Sequence, residues 1–271
     1  MTTPRLLLMG ASGRMGSEIV RQLADAASAP LRLTGAVASR TSGSLGRDVG
    51  THAGISALNV SIDEASCLPA LLANADVAID FSNGAAVGGH LAECVRARVP
   101  LLIGTTGAPE SLAAQIDAAT RSIAVLVAAN TSLGVNVLLA LVREAARALP
   151  YDYDIEIVET HHRHKLDAPS GTALALGEAA AQGRDGATLS DRAITARAGV
   201  RAARQEGQIG IASLRGGDVV GEHQVWLLGA GESLGLVHRV TDRAVFARGA
   251  VQAAAWLAGR TPGRYGMRDF L

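Results

Sequence analysis

Between residues 5 and 132 the chain alternates short, unbroken apolar runs with stretches of helical periodicity. The apolar runs are RLLLM (5–9), LRLTGAVAS (31–39), ADVAIDF (75–81), VPLLIGTTG (99–107) and IAVLVAANTS (123–132). A strand that is apolar along its whole length is buried on both faces, which needs helices on both sides of a parallel sheet. The intervening segments SEIVRQLA, AAVGGHLAECVRA and SLAAQIDAATR supply such helices. The predicted class is therefore α/β, a Rossmann-type doubly wound parallel sheet. LLLM reads as a buried strand: it is far too short to span a membrane and meets glycine too early for a signal-peptide core. No membrane partner is expected.

The first run leads into GASGRMGSEIVRQLA, where Gly10, Gly13 and Gly16 stand in GxxGxxG spacing before a helical pattern. A tight turn, a close backbone approach to a pyrophosphate and a helix N-terminus facing an anion are what dinucleotide binding requires. The spacing departs from GxGxxG, so its place after the first strand carries much of the signal. The later strands end in small or polar residues: Asp80-Phe81-Ser82, Gly104-Thr105-Thr106-Gly107 and Ala129-Asn130-Thr131. Ligands of such sheets bind at the carboxyl ends of strands, and three such loops beside a glycine turn favour a cofactor cleft. An NAD site places a carboxylate near the end of the second strand. This strand ends Ser39-Arg40-Thr41-Ser42, with no carboxylate until Asp48, so NADPH is expected over NADH.

After Asn130 the pattern changes. GVNVLLALVREAARA (134–148) reads as a helix, and YDYDIEIVET alternates Ile155 and Ile157 with Asp154 and Glu156, the period of a strand with one wet face. Further strands are expected at 208–215, 221–229 and 233–240, a loop over 180–199 and a helix over 243–259. The expected organisation is a dinucleotide-binding domain (1–132), an α+β substrate-binding and oligomerisation domain with a mixed or antiparallel sheet (133–241), and a C-terminal helix returning to the first domain (242–271).

Residues 161–165, HHRHK, place five basic or titratable side chains together, and Pro169 with Ser170-Gly171-Thr172 then gives an N-cap and first helical turn. A cationic loop against the positive end of a helix is an anion site suited to carboxylate or phosphate. Arg163 and Lys165 would repel a dication from His161, His162 and His164, and no metal is expected. Lys+Arg and Asp+Glu are 25 each, so no overall basic field exists to hold nucleic acid. Cys67 and Cys94 lack paired-motif spacing and read as buried, reduced thiols in a cytoplasmic protein.

GASGRMG, the GTTG loop, HHRHKLDAPSGTA, RGGDVVGEH and the closing GMRDFL, in that order, resemble the 4-hydroxy-tetrahydrodipicolinate reductase (dihydrodipicolinate reductase) family of bacterial lysine and diaminopimelate biosynthesis. The resemblance covers essentially the whole chain, and the HHRHK segment is its most specific part. It implies NAD(P)H-dependent reduction of 4-hydroxy-tetrahydrodipicolinate to tetrahydrodipicolinate by a homotetramer. It implies that His161 and Lys165 serve proton transfer, and that His162, Lys165, Ser170, Gly171 and Thr172 hold the substrate carboxylates. It further implies that Gly10, Ala11, Ser12, Gly13, Arg14 and Met15 cradle the pyrophosphate. Gly104, Thr105, Thr106, Ala128, Ala129, Asn130 and Thr131 would line the nicotinamide side, and Ser39 and Arg40 would lie at the adenosine ribose. Two departures stand out: Ser39 replaces the family's common acidic residue, and Thr131 stands where many members carry an aromatic one. Neighbouring positive charge lowers the pKa of a lysine or histidine, which suits such a group to act as an acid at neutral pH. The residues leave open a related Rossmann-type reductase of another cyclic imine or unsaturated dicarboxylate, and a non-catalytic nucleotide-sensing protein.

Overall fold

The computed structural model describes residues 2–24, 29–199 and 201–271; Met1, where the expected first domain starts, lies outside them. The chain divides into two compact units, 1–133 with 244–271, and 134–243. In chain order the first unit contains β1 (Arg5–Met9), α1 (Arg14–Ala24), β2 (Arg32–Ala38), α2 (Val49–His52), β3 (Ile62–Glu64), α3 (Leu68–Leu72), β4 (Val77–Asp80), α4 (Gly84–Ala97), β5 (Leu101–Ile103), α5 (Leu112–Ala119) and β6 (Ala124–Val127). Then come α6 (Leu133–Ala148), β7 (Asp154–His161), α7 (Gly171–Arg184), β8 (Ala193–Ile194), β9 (Ile209–Arg215), β10 (Gly221–Leu228) and β11 (Ser233–Val240). The chain closes with α8 (Ala244–Leu257), β12 (Gly263–Tyr265) and α9 (Met267–Phe270), which belong to the first unit.

The first unit's sheet has seven strands in the order β12-β6-β5-β4-β1-β2-β3, paired in parallel throughout. The doubly wound α/β expectation is borne out. The unbroken apolar runs follow from burial on both faces: Leu6 and Leu8 point into one core with Ile19, Val20, Ala250 and Leu257. Leu7 and Met9 point into the other with Val87, Leu91 and Ile116. β3 and β12 had no apolar run long enough to announce them, and α3 lies in the apolar run CLPALLA (67–73), which was not singled out in the sequence. β12 pairs with β6 through Gly263-Arg264-Tyr265, and β3 sets Glu64 beside Ala38.

The second unit's sheet runs β11-β10-β7-β9-β8, antiparallel about β10 and parallel from β7 to β8. α6 and α7 cover one face, with Leu138, Val142, Ala173 and Leu176 against Ile155, Ile157, Ile211, Val225 and Leu227. The loop expected over 180–199 is corrected: α7 continues to Arg184, a 3-10 turn follows at Leu189–Asp191, and β8 adds an edge strand. Ala179, Ala180, Ala181 and Gly183 carry little side chain and read as featureless, yet they are buried, and alanine is the strongest helix former. Cys94 is buried as expected, whereas Cys67 is only half-buried. No helix of the described residues is long and apolar enough to cross a membrane.

Candidate active site

The first unit carries a cleft of about 530 Å³ at the carboxyl ends of β1, β4, β5 and β6. Gly13, Arg14 and Met15 form one side, Gly104, Thr105 and Thr106 another, and Ala129, Asn130 and Thr131 a third. These nine expected cofactor residues therefore meet in one place. The turn after β1 is shaped by Gly10, whose φ is +86° and whose missing Cβ would lie 2.3 Å from the Phe81 carbonyl oxygen. The N–H groups of Gly10 and Ala11 both donate to the Val37 carbonyl, at 2.9 and 3.0 Å, so these two residues fix the turn against β2. α1 begins at Arg14, on the cleft wall, so its positive N-terminal end is placed to meet an anion bound there. Turn, helix end and strand-end loops fit a dinucleotide.

Other expected residues do not line that cleft. Ser12 meets His52 through its carbonyl at 3.3 Å. Ala128 is buried under the β6 loop. Ser39 and Arg40 are exposed past the end of β2, where the Ser39 hydroxyl lies 3.0 Å from that of Thr41. Asp48 caps α2, accepting from Thr51 N at 2.9 Å, and is engaged away from any ribose. The cleft also uses residues the sequence did not single out: Phe81, Ser82 and Phe246. Thr131, at the aromatic position, is buried and donates its hydroxyl to the Phe246 carbonyl at 2.7 Å. An aromatic ring thus reaches the cleft from α8 instead. Beneath the cleft Asp80 is fully buried: Oδ1 accepts from Ser82 N, Ser82 Oγ and Thr105 Oγ1 at 2.8, 2.6 and 2.8 Å, and Oδ2 lies 2.7 Å from His90 Nδ1. Burial pushes this carboxyl up, but the bonds from His90 and Ser82 outweigh it and leave Asp80 below the usual range.

The second unit concentrates its polar groups at one end of its core. The buried face of β7 is Ile155, Ile157, Glu159 and His161, so the apolar stripe turns polar where the strand ends. Register sets Arg215 of β9 beside His161 and His223 of β10 beside Glu159. Arg215 grips Glu159 in a two-pronged pair at 2.8 and 2.7 Å. Glu159 also takes Ser170 N at 3.1 Å and lies 2.5 Å from His161 Nδ1. Ser170 caps α7 as expected, accepting from Ala173 N at 3.2 Å, and its hydroxyl lies 3.3 Å from His223 Nε2. Burial raises the Glu159 pKa, but Arg215, His161, Ser213 and Ser170 together bring it down to about 2. His223 is held down to about 4, chiefly by burial, and stays neutral.

His161 is lowered from its ordinary value by burial first; Glu159 opposes this, and Lys165 and Arg215 add to it. The expected lowering by neighbouring cations is present, but desolvation leads it and the Glu159 carboxylate opposes it. The loop is also less cationic than HHRHK alone suggests, because Lys165 pairs with Asp167 at 2.9 Å. Of the expected anion-binding residues, Ser170 is buried, His162, Lys165 and Thr172 are half-buried, and Gly171 is exposed at the α7 N-terminus. His164 and Arg163 point to solvent. Glu159, Arg215, His223 and Asp167 were missed. The signal for Glu159 was present, since the two-residue period of Ile155 and Ile157 continues onto Glu159 and His161.

The chain matches two family models, one described as dihydrodipicolinate reductase, N-terminus (residues 4–131), the other as dihydrodipicolinate reductase, C-terminus (134–271). It is 47% identical over 267 residues to the 4-hydroxy-tetrahydrodipicolinate reductase of Anaeromyxobacter dehalogenans strain 2CP-1, covering 98% of this chain and 97% of that relative. It is 47% identical over 268 residues to that of Ruegeria pomeroyi, with coverages of 99% and 98%. Among solved structures, a dipicolinate-bound dihydrodipicolinate reductase from Paenisporosarcina sp. TG-14 shares the fold, with a TM-score of 0.76, 24% identity and full coverage of both chains. An amine dehydrogenase from Mycobacterium smegmatis shares it more distantly, with a TM-score of 0.59, 15% identity and coverages of 97% and 94%. The match over both halves, at such identity along nearly its whole length, places this chain in the dihydrodipicolinate reductase family.

Proposed function

We propose that the protein reduces 4-hydroxy-tetrahydrodipicolinate to tetrahydrodipicolinate with NAD(P)H, a step of lysine and diaminopimelate biosynthesis. The observation that carries this reading is the second unit's site, where His161, Lys165 and the capped start of α7 gather at one end of the core, as a dicarboxylate with a protonatable ring requires. When bound in the first unit's cleft, the reduced nicotinamide supplies the hydride. Gly13, Arg14 and Met15 hold the pyrophosphate there, on the turn that Gly10, Ala11 and Ser12 shape. Thr105, Thr106, Asn130 and the Phe246 ring hold the nicotinamide end. Ser39 and Arg40 receive the 2′-phosphate of NADPH; Glu64, beside Ala38, already accepts from Ser66 Oγ at 2.7 Å.

Lys165 Nζ and the α7 N-terminus bind the substrate carboxylates, with His162 alongside. Asp167 is 57% exposed, and exposed ion pairs contribute about 0–1 kcal/mol, so Lys165 exchanges it readily for a substrate carboxylate. Loss of the 4-hydroxyl as water, before or in the site, gives the conjugated ring that takes the hydride, and the negative charge developing on that ring is quenched by a positioned acid, His161 or Lys165. Ser170 acts by starting the helix. A homotetramer is proposed through the uncovered face of the second sheet, where Val237 and Leu214 are 57% and 53% exposed. Free Cys67 and Cys94 are in keeping with a reducing, cytoplasmic setting. The test is a coupled assay with pyruvate, aspartate semialdehyde and the preceding synthase: NADPH oxidation that needs every component is the expected result. A folded protein that oxidises none, with either nicotinamide, would sink the reading.

A further inference from the structure

Glu159 is 0% exposed, and each carboxylate oxygen receives at least two contacts. Oε1 takes Ser170 N at 3.1 Å and Arg215 Nη2 at 2.7 Å. Oε2 takes Arg215 Nη1 at 2.8 Å and lies 2.5 Å from His161 Nδ1. An ionised carboxylate only accepts hydrogen bonds, so the His161 contact requires the hydrogen on Nδ1. The other ring nitrogen, Nε2, is then left to gain and lose a proton. The fold keeps space at that atom: Gly221 of β10 comes so near that a Cβ there would lie 3.2 Å from Nε2.

We infer that Glu159, clamped by Arg215, is the positioning residue that fixes the tautomer and orientation of His161, so that proton transfer in the reduction takes place at Nε2. This rests on the reading of His161 given above. Because Arg215 neutralises the carboxylate permanently, Glu159 stays compensated whether the imidazole is charged or neutral. A lone carboxylate in the same place would need the imidazolium to balance it and would hold the proton too tightly for transfer. Arg215 also donates to the Asp167 carbonyl at 2.6 Å, and Glu159 anchors Ser170 N. One ion pair thus holds His161 and both the Asp167 and Ser170 positions of the loop that meets the substrate.

The groups facing His161 come from four places. Glu159 on its own strand raises its pKa; Arg215 on β9 and Lys165 in the following loop lower it. His223 on β10 stands edge-on with ring centroids 5.2 Å apart and is itself neutral above about pH 4. Removing the Glu159 charge removes the one upward influence, so the protonated fraction of His161 at a given pH falls.

The test uses the full-length protein and the variants Glu159→Gln and Glu159→Asp. Nitrogen-15 NMR of the imidazoles in the wild-type enzyme is expected to show His161 with its neutral form protonated on Nδ1. In Glu159→Gln, kcat is expected to fall by at least about tenfold, and the alkaline limb of kcat/KM against pH should move to lower pH. Glu159→Asp, which keeps the charge, should return the limb toward its wild-type position even if kcat stays reduced. A merely structural role would lower kcat and the affinity for pyridine-2,6-dicarboxylate together and leave the pH profile in place, and that result would overturn the inference. If Glu159→Gln does not fold, the wild-type spectrum decides: a neutral His161 protonated on Nε2 contradicts the assignment. A protein with the Nδ1–H tautomer but no turnover of 4-hydroxy-tetrahydrodipicolinate supports the Glu159 geometry while removing the proposed substrate, so the two failures are distinguishable.

Discussion

Each unit buries a carboxylate near a strand end and sets it against a histidine Nδ1: Asp80 against His90 in the first, Glu159 against His161 in the second. The surroundings differ. Asp80 is surrounded by Ser82 N, Ser82 Oγ and Thr105 Oγ1, and its histidine stands within α4. Glu159 has a guanidinium across both oxygens, and its histidine ends the strand that runs into the loop proposed to meet the substrate. Asp80 braces Ser82 and Thr105, both on the first unit's cleft, whereas the role proposed for Glu159, with its guanidinium counter-charge, is to let an imidazole change protonation.

The contrast breaks first on activity. His161→Gln is expected to lower kcat by about 10²–10⁴-fold with KM little changed. Lys165→Ala should lower kcat and raise KM, because it also holds the bound substrate. His90→Gln and His164→Gln should each leave kcat within about tenfold, far less than a lost acid–base group. Steady-state kinetics on variants whose circular dichroism is native settles the matter; a near-normal kcat in His161→Gln removes the proton-transfer role, and a larger loss at His90 reverses the comparison.

Stability should separate the pairs next. Glu159→Ala removes the carboxylate from Arg215, which is partly exposed and keeps the Leu214 and Asp167 carbonyls, and also unties Ser170 N and His161, so it should cost about 2–4 kcal/mol. Asp80→Asn keeps part of its hydrogen bonding and should cost about 1–3 kcal/mol. Urea unfolding of the two variants measures both, and equal losses would show that the guanidinium adds nothing.

A third difference is pH-dependent. His223 beside the Glu159 pair has its pKa lowered from 6.5 to about 4, so between those values the unfolded chain binds more protons than the folded one. Stability therefore rises with pH across that window, by up to about 3 kcal/mol for this group. Glu159, lowered from 4.5 to about 2, contributes stability above its unfolded value that is lost as pH falls toward 2. His223→Gln should flatten the slope between pH 6.5 and 4 in thermal melts; an unchanged slope would place its origin elsewhere.

The expected effect at the first unit's rim is smaller. Arg40→Ala should reduce kcat/KM with NADPH by an amount equivalent to about 1.5–3 kcal/mol, the value of a charge-assisted contact, and leave NADH nearly unaffected. Equal losses with both cofactors would show that Arg40 does not read the 2′-phosphate.

What the sequence revealed tracks how local the determining interactions are. Strands apolar on both faces, the glycine turn and the Ser170 cap are written in consecutive residues, and they were legible. The Arg215–Glu159 clamp depends on β9 lying beside β7 in a particular register, and Phe246 reaches the cleft from a helix far along the chain. Neither follows from spacing. β12 is three residues long and takes its place from β6. HHRHK likewise did not show that His161 would face Glu159 and an arginine 56 residues from that carboxylate.

The function proposed for the second unit requires a site that takes two carboxylates beside a proton-transfer group. Calorimetric titration of pyridine-2,6-dicarboxylate and pyridine-2-carboxylate into the wild-type enzyme and Lys165→Ala tests this directly. The dicarboxylate is expected to bind the wild type at least about tenfold more tightly than the monocarboxylate, a difference of about 1.4 kcal/mol, and Lys165→Ala should remove most of that gap. Equal binding of the two ligands by the wild-type enzyme would contradict it.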